Sequence, residues 1–386
     1  MKLAEKPLVY VKDLDLRFYT YEGVVEALDK VTLYIKDGET IGVVGETGCG
    51  KSVTGLSELV LVPPPGRIEG GKVILRKDEK WLNLLRQREA YMRTVRGNDI
   101  SMIFQDPKSA LNPVYTVKQQ ISEAILHHRV KELCQKLLEE DREAVESGEK
   151  GTLSHREKKT LEKILKNPKA LSIRFRSKIP FLNSFKRKIK DEVTKEVVKM
   201  LKDMRIPDPE RVAEMYPHEL SGGMAQRAVI AMALSCNPKL LIADEPTTNL
   251  DVTVQLQILT LIKDLKKEYG MTIQYITHDM GVVAGMCDRV AVMYAGNVVE
   301  LADVNEIFKN PLHPYTKALL ECIPRPGCEF KSIEGTVPSL VSPPLGCRFN
   351  DRCPYAMELC TKEKPVLIRA SERHYVLCHL FRGGVK

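Results

Sequence analysis

Eight consecutive residues, Gly45-Glu46-Thr47-Gly48-Cys49-Gly50-Lys51-Ser52, fit the spacing G-x-x-x-x-G-K-S/T. Each position has a physical task in gripping phosphate. The glycines let the backbone curl until its N–H groups point at phosphate oxygens. Lys51 brings a point charge to the β- and γ-phosphates, and Ser52 offers a hydroxyl to Mg2+. A helix opening at this point, with Val53 in its first turn, adds a favourable dipole. Cys49 reads as a small filler residue within the loop. A second cluster stands at Leu240-Leu241-Ile242-Ala243-Asp244-Glu245, an apolar strand that ends in two acids. A strand end beside a phosphate loop is where Mg2+ must be held, and Asp244 suits that role directly or through water. Glu245 is then placed to polarise an attacking water as general base. The bland alternative, two acids capping a strand at the surface, loses ground once the phosphate loop is present.

Such side chains need a rigid frame. Residues 40–44 form a short, almost fully apolar run, which suits a strand buried on both faces as in a parallel sheet. The glycine-rich loop and a helical stretch follow directly. Residues 240–243 are a second buried-strand candidate. Residues 252–268 pattern as an amphipathic helix, and 272–276 and 290–294 as further strands. Strand, helix and strand in that order imply a parallel α/β sheet. Upstream, residues 8–16 alternate apolar and polar and 31–35 read as another strand, so the first hundred residues are strand-rich. Residues 116–140 and 226–237 have helical character. Between about 128 and 195 the chain is charged and lysine-rich, with Pro168 and Pro180 as punctuation. It reads as two or three helices broken near the prolines or as partly disordered.

Composition bounds the setting. The 386 residues carry 59 Lys and Arg against 51 Asp and Glu, a formal charge of +8. That excess is local, because residues 151–190 hold thirteen basic and two acidic residues. The rest of the chain is slightly acidic. No apolar run approaches the length of a membrane-spanning helix, and the first residues lack the h-region of a secretory signal. A cytoplasmic protein is expected, with its ten cysteines as reduced thiols, metal ligands or buried residues.

Further motifs bring a family into view. Leu220-Ser221-Gly222-Gly223-Met224-Ala225-Gln226-Arg227 resembles the LSGGQ signature of ATP-binding cassette (ABC) ATPases, with Met224 where the family usually has Gln. Gln105 in Ile103-Phe104-Gln105-Asp106-Pro107 resembles the Q-loop, Asn249-Leu250-Asp251 the D-loop, and His278 in Ile276-Thr277-His278-Asp279 the switch histidine. The resemblance implies a P-loop NTPase core of RecA-like α/β type with antiparallel β and helical subdomains. It implies ATP and Mg2+ as ligands, with Ser52, Gln105 and Asp244 around the metal. It makes Glu245, His278 and Gln105 the catalytic set, with Asp251 also at the nucleotide. Ser221, Gly222 and Gly223 then close over a nucleotide held by another subunit. An aromatic residue ahead of the first core strand usually stacks on adenine in this family, and Tyr19 and Tyr21 are both candidates.

Segments at the edges of these motifs narrow the resemblance. Residues 106–113, 216–220 and 310–316, with their Asp-Pro, Tyr-Pro-His-Glu-Leu and Asn-Pro-Leu-His-Pro-Tyr-Thr runs, look like the dipeptide and oligopeptide importer branch. Thr54 and Asp251-Val252-Thr253-Val254-Gln255 look like the first of the two ATPase subunits such importers carry. The implied partners are a second, different ATPase chain, two transmembrane permease subunits and an external solute-binding protein, at the cytoplasmic face of the membrane. The implied domains are a nucleotide-binding domain over 1–325 and a small Cys-rich domain over 326–386. The first would contain a helical subdomain at about 106–237. A non-transport ABC ATPase acting on ribosomes or DNA is the alternative.

Two features stand outside the ATPase motifs. Cys347, Cys353, Cys360 and Cys378 are spaced C-x5-C-x6-C-x17-C. Four thiolates can hold an iron–sulfur cluster or zinc, and four unliganded thiols are the third option. The importer resemblance implies a 4Fe-4S cluster. Cys322 and Cys328 are possible substitutes. The basic insert, where Phe175, Ile179, Phe181, Leu182 and Phe185 interleave with charge, fits a solvated hairpin, contact with lipid or partner, or nucleic acid. Nucleic acid is the least expected of the three.

Overall fold

The computed structural model describes residues 6–148, 151–166, 184–248, 250–324 and 332–382. The chain divides into two compact units. One takes Met1–Gln105, Lys239–Thr248 and Leu259–Lys386, the other Asp106–Pro238 and Asn249–Ile258.

The first unit holds every described strand. In chain order these are β1 (Val9–Thr20), β2 (Gly23–Ile35), β3 (Thr40–Val44), β4 (Gly66–Lys77), β5 (Lys80–Asn83) and β6 (Ile100–Ile103). They continue with β7 (Leu240–Asp244), β8 (Thr272–Thr277), β9 (Arg289–Tyr294), β10 (Asn297–Asp303), β11 (Leu367–Arg369) and β12 (Tyr375–Leu377). A four-stranded antiparallel sheet runs β2-β1-β4-β5, and an eight-stranded sheet runs β11-β12-β10-β9-β3-β8-β7-β6.

The run β9-β3-β8-β7-β6 is parallel throughout. Every residue of β3, β7 and β8 is buried. This explains their apolar runs, because helices cover a parallel sheet on its faces and leave no polar side. The two sheets share one core, to which Val11, Leu14, Leu33, Val43, Ile242 and Ile276 belong. At the other edge β10, β12 and β11 add antiparallel strands, so the C-terminal residues extend the main sheet.

This topology positions the chemistry. Adjacent parallel strands open their carboxyl ends on one edge, and ligands of such sheets bind there. The glycine-rich loop follows β3, His278 follows β8, Glu245 follows β7 and Gln105 follows β6.

The second unit is helical. The helix Val117–His128 starts with a capping box in which Thr116 and Gln119 satisfy each other's backbone N–H. The helical run expected over 116–140 breaks at Arg129, which separates it from Val130–Glu146. The Arg129 guanidinium donates to the Ser235 carbonyl at 3.0 Å at the end of the helix Gly222–Leu234. Part of the insert's charge is consumed internally. Lys158 pairs with the buried Asp141, and Lys188 pairs with Glu157 at 3.0 Å. Pro168, Lys169, Arg174, Phe175, Arg176, Lys178, Ile179, Pro180, Phe181 and Leu182 lie outside the described residues, as do Asn249, Cys328 and the Phe185 side chain. No helix among the described residues is long and apolar enough to cross a membrane.

Candidate phosphate-binding and catalytic site

The loop between β3 and the helix Lys51–Glu58 has the backbone its glycines permit. Gly45 has φ 154°, and a Cβ there would lie 2.1 Å from the Met293 carbonyl oxygen. Gly50, with φ 103°, caps the helix in the left-handed region, where a Cβ would meet Leu28 at 2.7 Å. Neither position accepts another residue without moving its surroundings. The Lys51 ammonium is buried and donates to the carbonyls of Gly45 at 2.8 Å and Glu46 at 3.0 Å. The charge is thus pointed into the loop's own curl. Thr54 donates to the Gly50 carbonyl at 2.9 Å and fixes the first turn. Cys49 is buried, and desolvation raises its thiol above the ordinary value. Val53 is half-buried against the core.

Ser52 donates to Asp244 Oδ1 at 3.0 Å. The hydroxyl after the loop and the carboxylate ending β7 therefore meet, although 192 positions separate them in sequence. A hydroxyl beside a carboxylate is a hard-oxygen pair of the kind Mg2+ takes. Burial raises the Asp244 carboxyl above its ordinary value, the Ser52 bond opposes this, and the neighbouring Glu245 charge adds to it.

Glu245 is the centre of a second cluster. Gln105 Nε2 donates to its Oε2 at 2.9 Å, and the Thr248 hydroxyl donates to the same oxygen at 3.1 Å. His278 Nδ1 meets Oε1 at 2.9 Å. Burial would push this carboxyl up, but the His278 bond and charge and the Thr248 bond outweigh it. The group is held below its ordinary value and is ionised at neutral pH. Glu245 also has φ 44°, in the left-handed region. A non-glycine residue there costs about 1–3 kcal/mol, and such strain collects at functional sites. Its N–H donates to the Ile276 carbonyl at 2.9 Å, which ties the strained residue to β8, the strand that delivers His278.

The remaining expected residues have these settings. Ser221 caps the helix Gly222–Leu234 through its hydroxyl, which accepts the Met224 N–H at 3.3 Å, and leaves Gly222 and Gly223 in the opening turn. Asp251 accepts the Val254 N–H at 2.9 Å at the start of the helix Val252–Tyr269. Tyr19 lies on β1, donates to Glu69 at 2.9 Å and sits under the Arg67 guanidinium at 5.3 Å. Tyr21 is 98% exposed in the following turn and donates to Glu22 at 3.1 Å. Thr47 belongs to the loop turn.

Sequence reasoning missed three groups. Thr248 stands three residues after Glu245, a spacing at which a turn hydroxyl reaches back. Arg352 and Tyr315 both touch Glu46: the guanidinium holds its carboxylate at 2.8 and 3.1 Å, and the Tyr315 hydroxyl accepts its N–H at 3.0 Å. Tyr315 lies in the run 310–316, but nothing in that run marks contact with the loop, and no local pattern marks Arg352.

The iron–sulfur expectation is corrected. Among the described residues, no group of three or more His, Cys, Asp or Glu side chains is arranged to hold a metal ion. Cys347, Cys353, Cys360 and Cys378 are free thiols. Burial pushes Cys347 up to about 12 and Cys378 up to about 11, and raises Cys353. The 4Fe-4S and zinc readings of the tail both fall with this finding.

Comparison with known proteins agrees with this geometry. A family model described as ABC transporter matches residues 28–248, and one described as the C-terminal region of oligopeptide/dipeptide transporters matches 299–360. A probable peptide ABC transporter ATP-binding protein of Sinorhizobium fredii is 45% identical over 98% of this chain and 97% of its own length. A dipeptide transport ATP-binding protein of Bacillus subtilis is 41% identical over 96% and 93%. An oligopeptide transport ATP-binding protein of Salmonella typhimurium is 40% identical over 93% and 90%. Among solved structures, a dimeric ATP-binding cassette bound to ADP and phosphate matches with a TM-score of 0.53 and 23% identity. It covers 77% of this chain and 98% of its own, a likeness of fold.

Proposed function

The chain belongs to the ABC transporter family, and from that premise we propose that it is the ATP-hydrolysing subunit of a peptide importer. The observation that carries the chemistry is the Glu245 carboxylate held by Gln105, Thr248 and His278 at the end of β7, on the sheet edge where the phosphate loop follows β3. Peptide cargo is supported by the printed names of the relatives and by the match over 299–360. The same names weigh against a ribosome- or DNA-acting ATPase.

In this reading Lys51 exchanges its two loop carbonyls for phosphate oxygens when ATP enters, so the ammonium never lacks a partner. The amides of residues 47–52 orient the phosphate chain at the helix N-terminus. Ser52 and Asp244 would hold Mg2+, with Gln105 completing the metal site. The ion, when bound, neutralises charge on the β- and γ-phosphates. Glu245 accepts a proton from the attacking water, and Gln105 and Thr248 keep its carboxylate oriented. His278 bonds Oε1 in the resting arrangement and turns to the γ-phosphate as charge develops there. Ser221, Gly222, Gly223 and Asp251 serve the nucleotide of a second ATPase chain, and Tyr19 or Tyr21 faces adenine. The finer partner set is that second, different ATPase subunit, two permease subunits and an external binding protein. The chain is then peripheral at the cytoplasmic face of the membrane.

The test is reconstitution of the full complex in proteoliposomes with its external binding protein. Defined peptides should stimulate ATP hydrolysis several-fold while oligosaccharides leave it at the basal rate. Stimulation by oligosaccharide alone would remove the peptide assignment.

A further inference from the structure

Glu46 is the first variable residue of the phosphate loop, and every polar group it has is engaged. Its N–H donates to the Tyr315 hydroxyl at 3.0 Å, its carbonyl accepts from Lys51 at 3.0 Å, and its carboxylate is gripped by Arg352 at 2.8 and 3.1 Å. Two of these three ties come from the C-terminal part of the chain. A third contact from beyond the catalytic strands reaches the loop where the Gly296 N–H donates to the Cys49 carbonyl at 2.9 Å.

Arg352 is held rigidly for this contact. Its side chain is 5% exposed. A guanidinium has five N–H donors, and the geometry supplies five acceptors. Nε donates to the Glu334 carbonyl at 2.9 Å. Nη1 donates to Glu46 Oε2 and to the Tyr294 hydroxyl at 3.2 Å. Nη2 donates to Glu46 Oε1 and to the Ile333 carbonyl at 3.3 Å. The Tyr294 and Phe349 rings lie 5.7 and 6.0 Å from its central carbon. Tyr294 and Phe349 also pack on Tyr315, so both ties to Glu46 spring from one aromatic cluster.

The electrostatic need is plain. A carboxylate inside a loop that must receive a polyanion opposes binding, and because the Glu46 side chain is still partly exposed, salt weakens that repulsion. A forked, charge-assisted pair removes the negative charge and fixes the side chain in one direction. We infer that Arg352, braced with Tyr315 by the C-terminal aromatic cluster, is a positioning residue that neutralises Glu46 and holds the phosphate loop ready for nucleotide. The inference rests on the nucleotide reading of the loop. It gives the C-terminal segment a task in the ATPase cycle, because movement of residues 347–353 reaches the loop through the Arg352–Glu46 ion pair and through Phe349 packed on Tyr315.

The experiment is titration of the full-length chain with a fluorescent ATP analogue at low and high salt, with a melting curve for each variant. Arg352→Gln should weaken binding about tenfold at low salt, and less at high salt, because the freed Glu46 charge opposes the polyanion. Arg352→Lys keeps the charge but loses the fork, so its affinity should fall between wild type and Arg352→Gln, within about threefold of wild type, because charge neutralisation is the larger part. Adding Glu46→Gln to Arg352→Gln should recover most of the lost affinity, a rescue that a purely structural role would not give. Arg352→Gln within twofold of wild type, or a double variant no better than Arg352→Gln alone, would overturn the inference. If Arg352→Gln does not fold, the Lys variant and the double variant decide by the same margins. Wild-type chain that binds no nucleotide would overturn the nucleotide reading itself, and the clamp with it.

Discussion

The phosphate loop and the C-terminal segment each present chemically capable residues at a suggestive spacing, yet only in the loop does the spacing carry the chemistry. In the loop, six residues join a buried strand to the helix that Lys51 and Ser52 open, and left-handed glycines curl the chain around Lys51. In the tail, the cysteines at 347, 353, 360 and 378 are separated by turns, a short helix and two strands. Among the described residues they form no metal-holding group. Part of the polar work there falls to two arginines between the first and second cysteines. Arg348 ties the segment to Glu26 at 2.8 Å and Asp29 at 3.3 Å, and Arg352 ties it to Glu46. Spacing predicts chemistry where short-range geometry fixes the backbone between the residues, and it fails where the path depends on tertiary contacts.

Four changes sharpen or break this contrast. The largest effect is expected in the tail. Arg348→Ala strips a 2%-exposed cation from Glu26 and Asp29, leaving Asp29 to Lys364. Removing one partner of a buried pair should cost about 3 kcal/mol in denaturant unfolding. A loss below about 0.5 kcal/mol would mean that the arginine ties are ornamental. Next comes the loop, where Lys51→Ala should weaken nucleotide binding about 100-fold, by loss of charge-assisted bonds to phosphate. Unchanged affinity would mean the curl binds no polyanion.

A smaller effect is tied to pH. His313 is fully buried at the start of the helix Pro314–Glu321, and burial pushes its pKa down to about 4. The fold therefore favours the neutral ring. That stabilisation is complete above the unfolded value near 6.5 and is lost as pH falls from there towards 4. Across this window His313 should contribute a slope of up to about 1.4 kcal/mol per pH unit to the loss of stability. His313→Asn, which keeps a capping side chain, should flatten that slope in unfolding curves, and an unaltered slope would contradict it. The smallest change is expected for Thr248→Ala. It removes one of two donors to Glu245 Oε2 and should lower turnover about tenfold, the low end for one hydrogen bond to a charged group.

Much of the site's frame was legible because burial leaves a trace in sequence. β3, β7 and β8 are buried on both faces, so they had to be apolar runs. Their order with intervening helices implied the parallel sheet. Gln105 and His278 were legible only through family resemblance, since a lone Gln or His after a strand has no physical signature of its own. The break at Arg129 was hidden, because its bond to the Ser235 carbonyl joins positions 106 apart. Arg352 and Tyr315 were hidden for the same reason, lying 306 and 269 positions from the loop residue they hold.

The central claim is that an ionised Glu245 performs the proton transfer while the phosphate loop binds nucleotide independently of it. Glu245→Gln in the assembled complex tests this directly, with ATP turnover and nucleotide affinity measured on the same preparation. Turnover should fall at least about 100-fold, the range of a lost general base, with affinity within about threefold of wild type. Turnover near the wild-type rate would contradict the account.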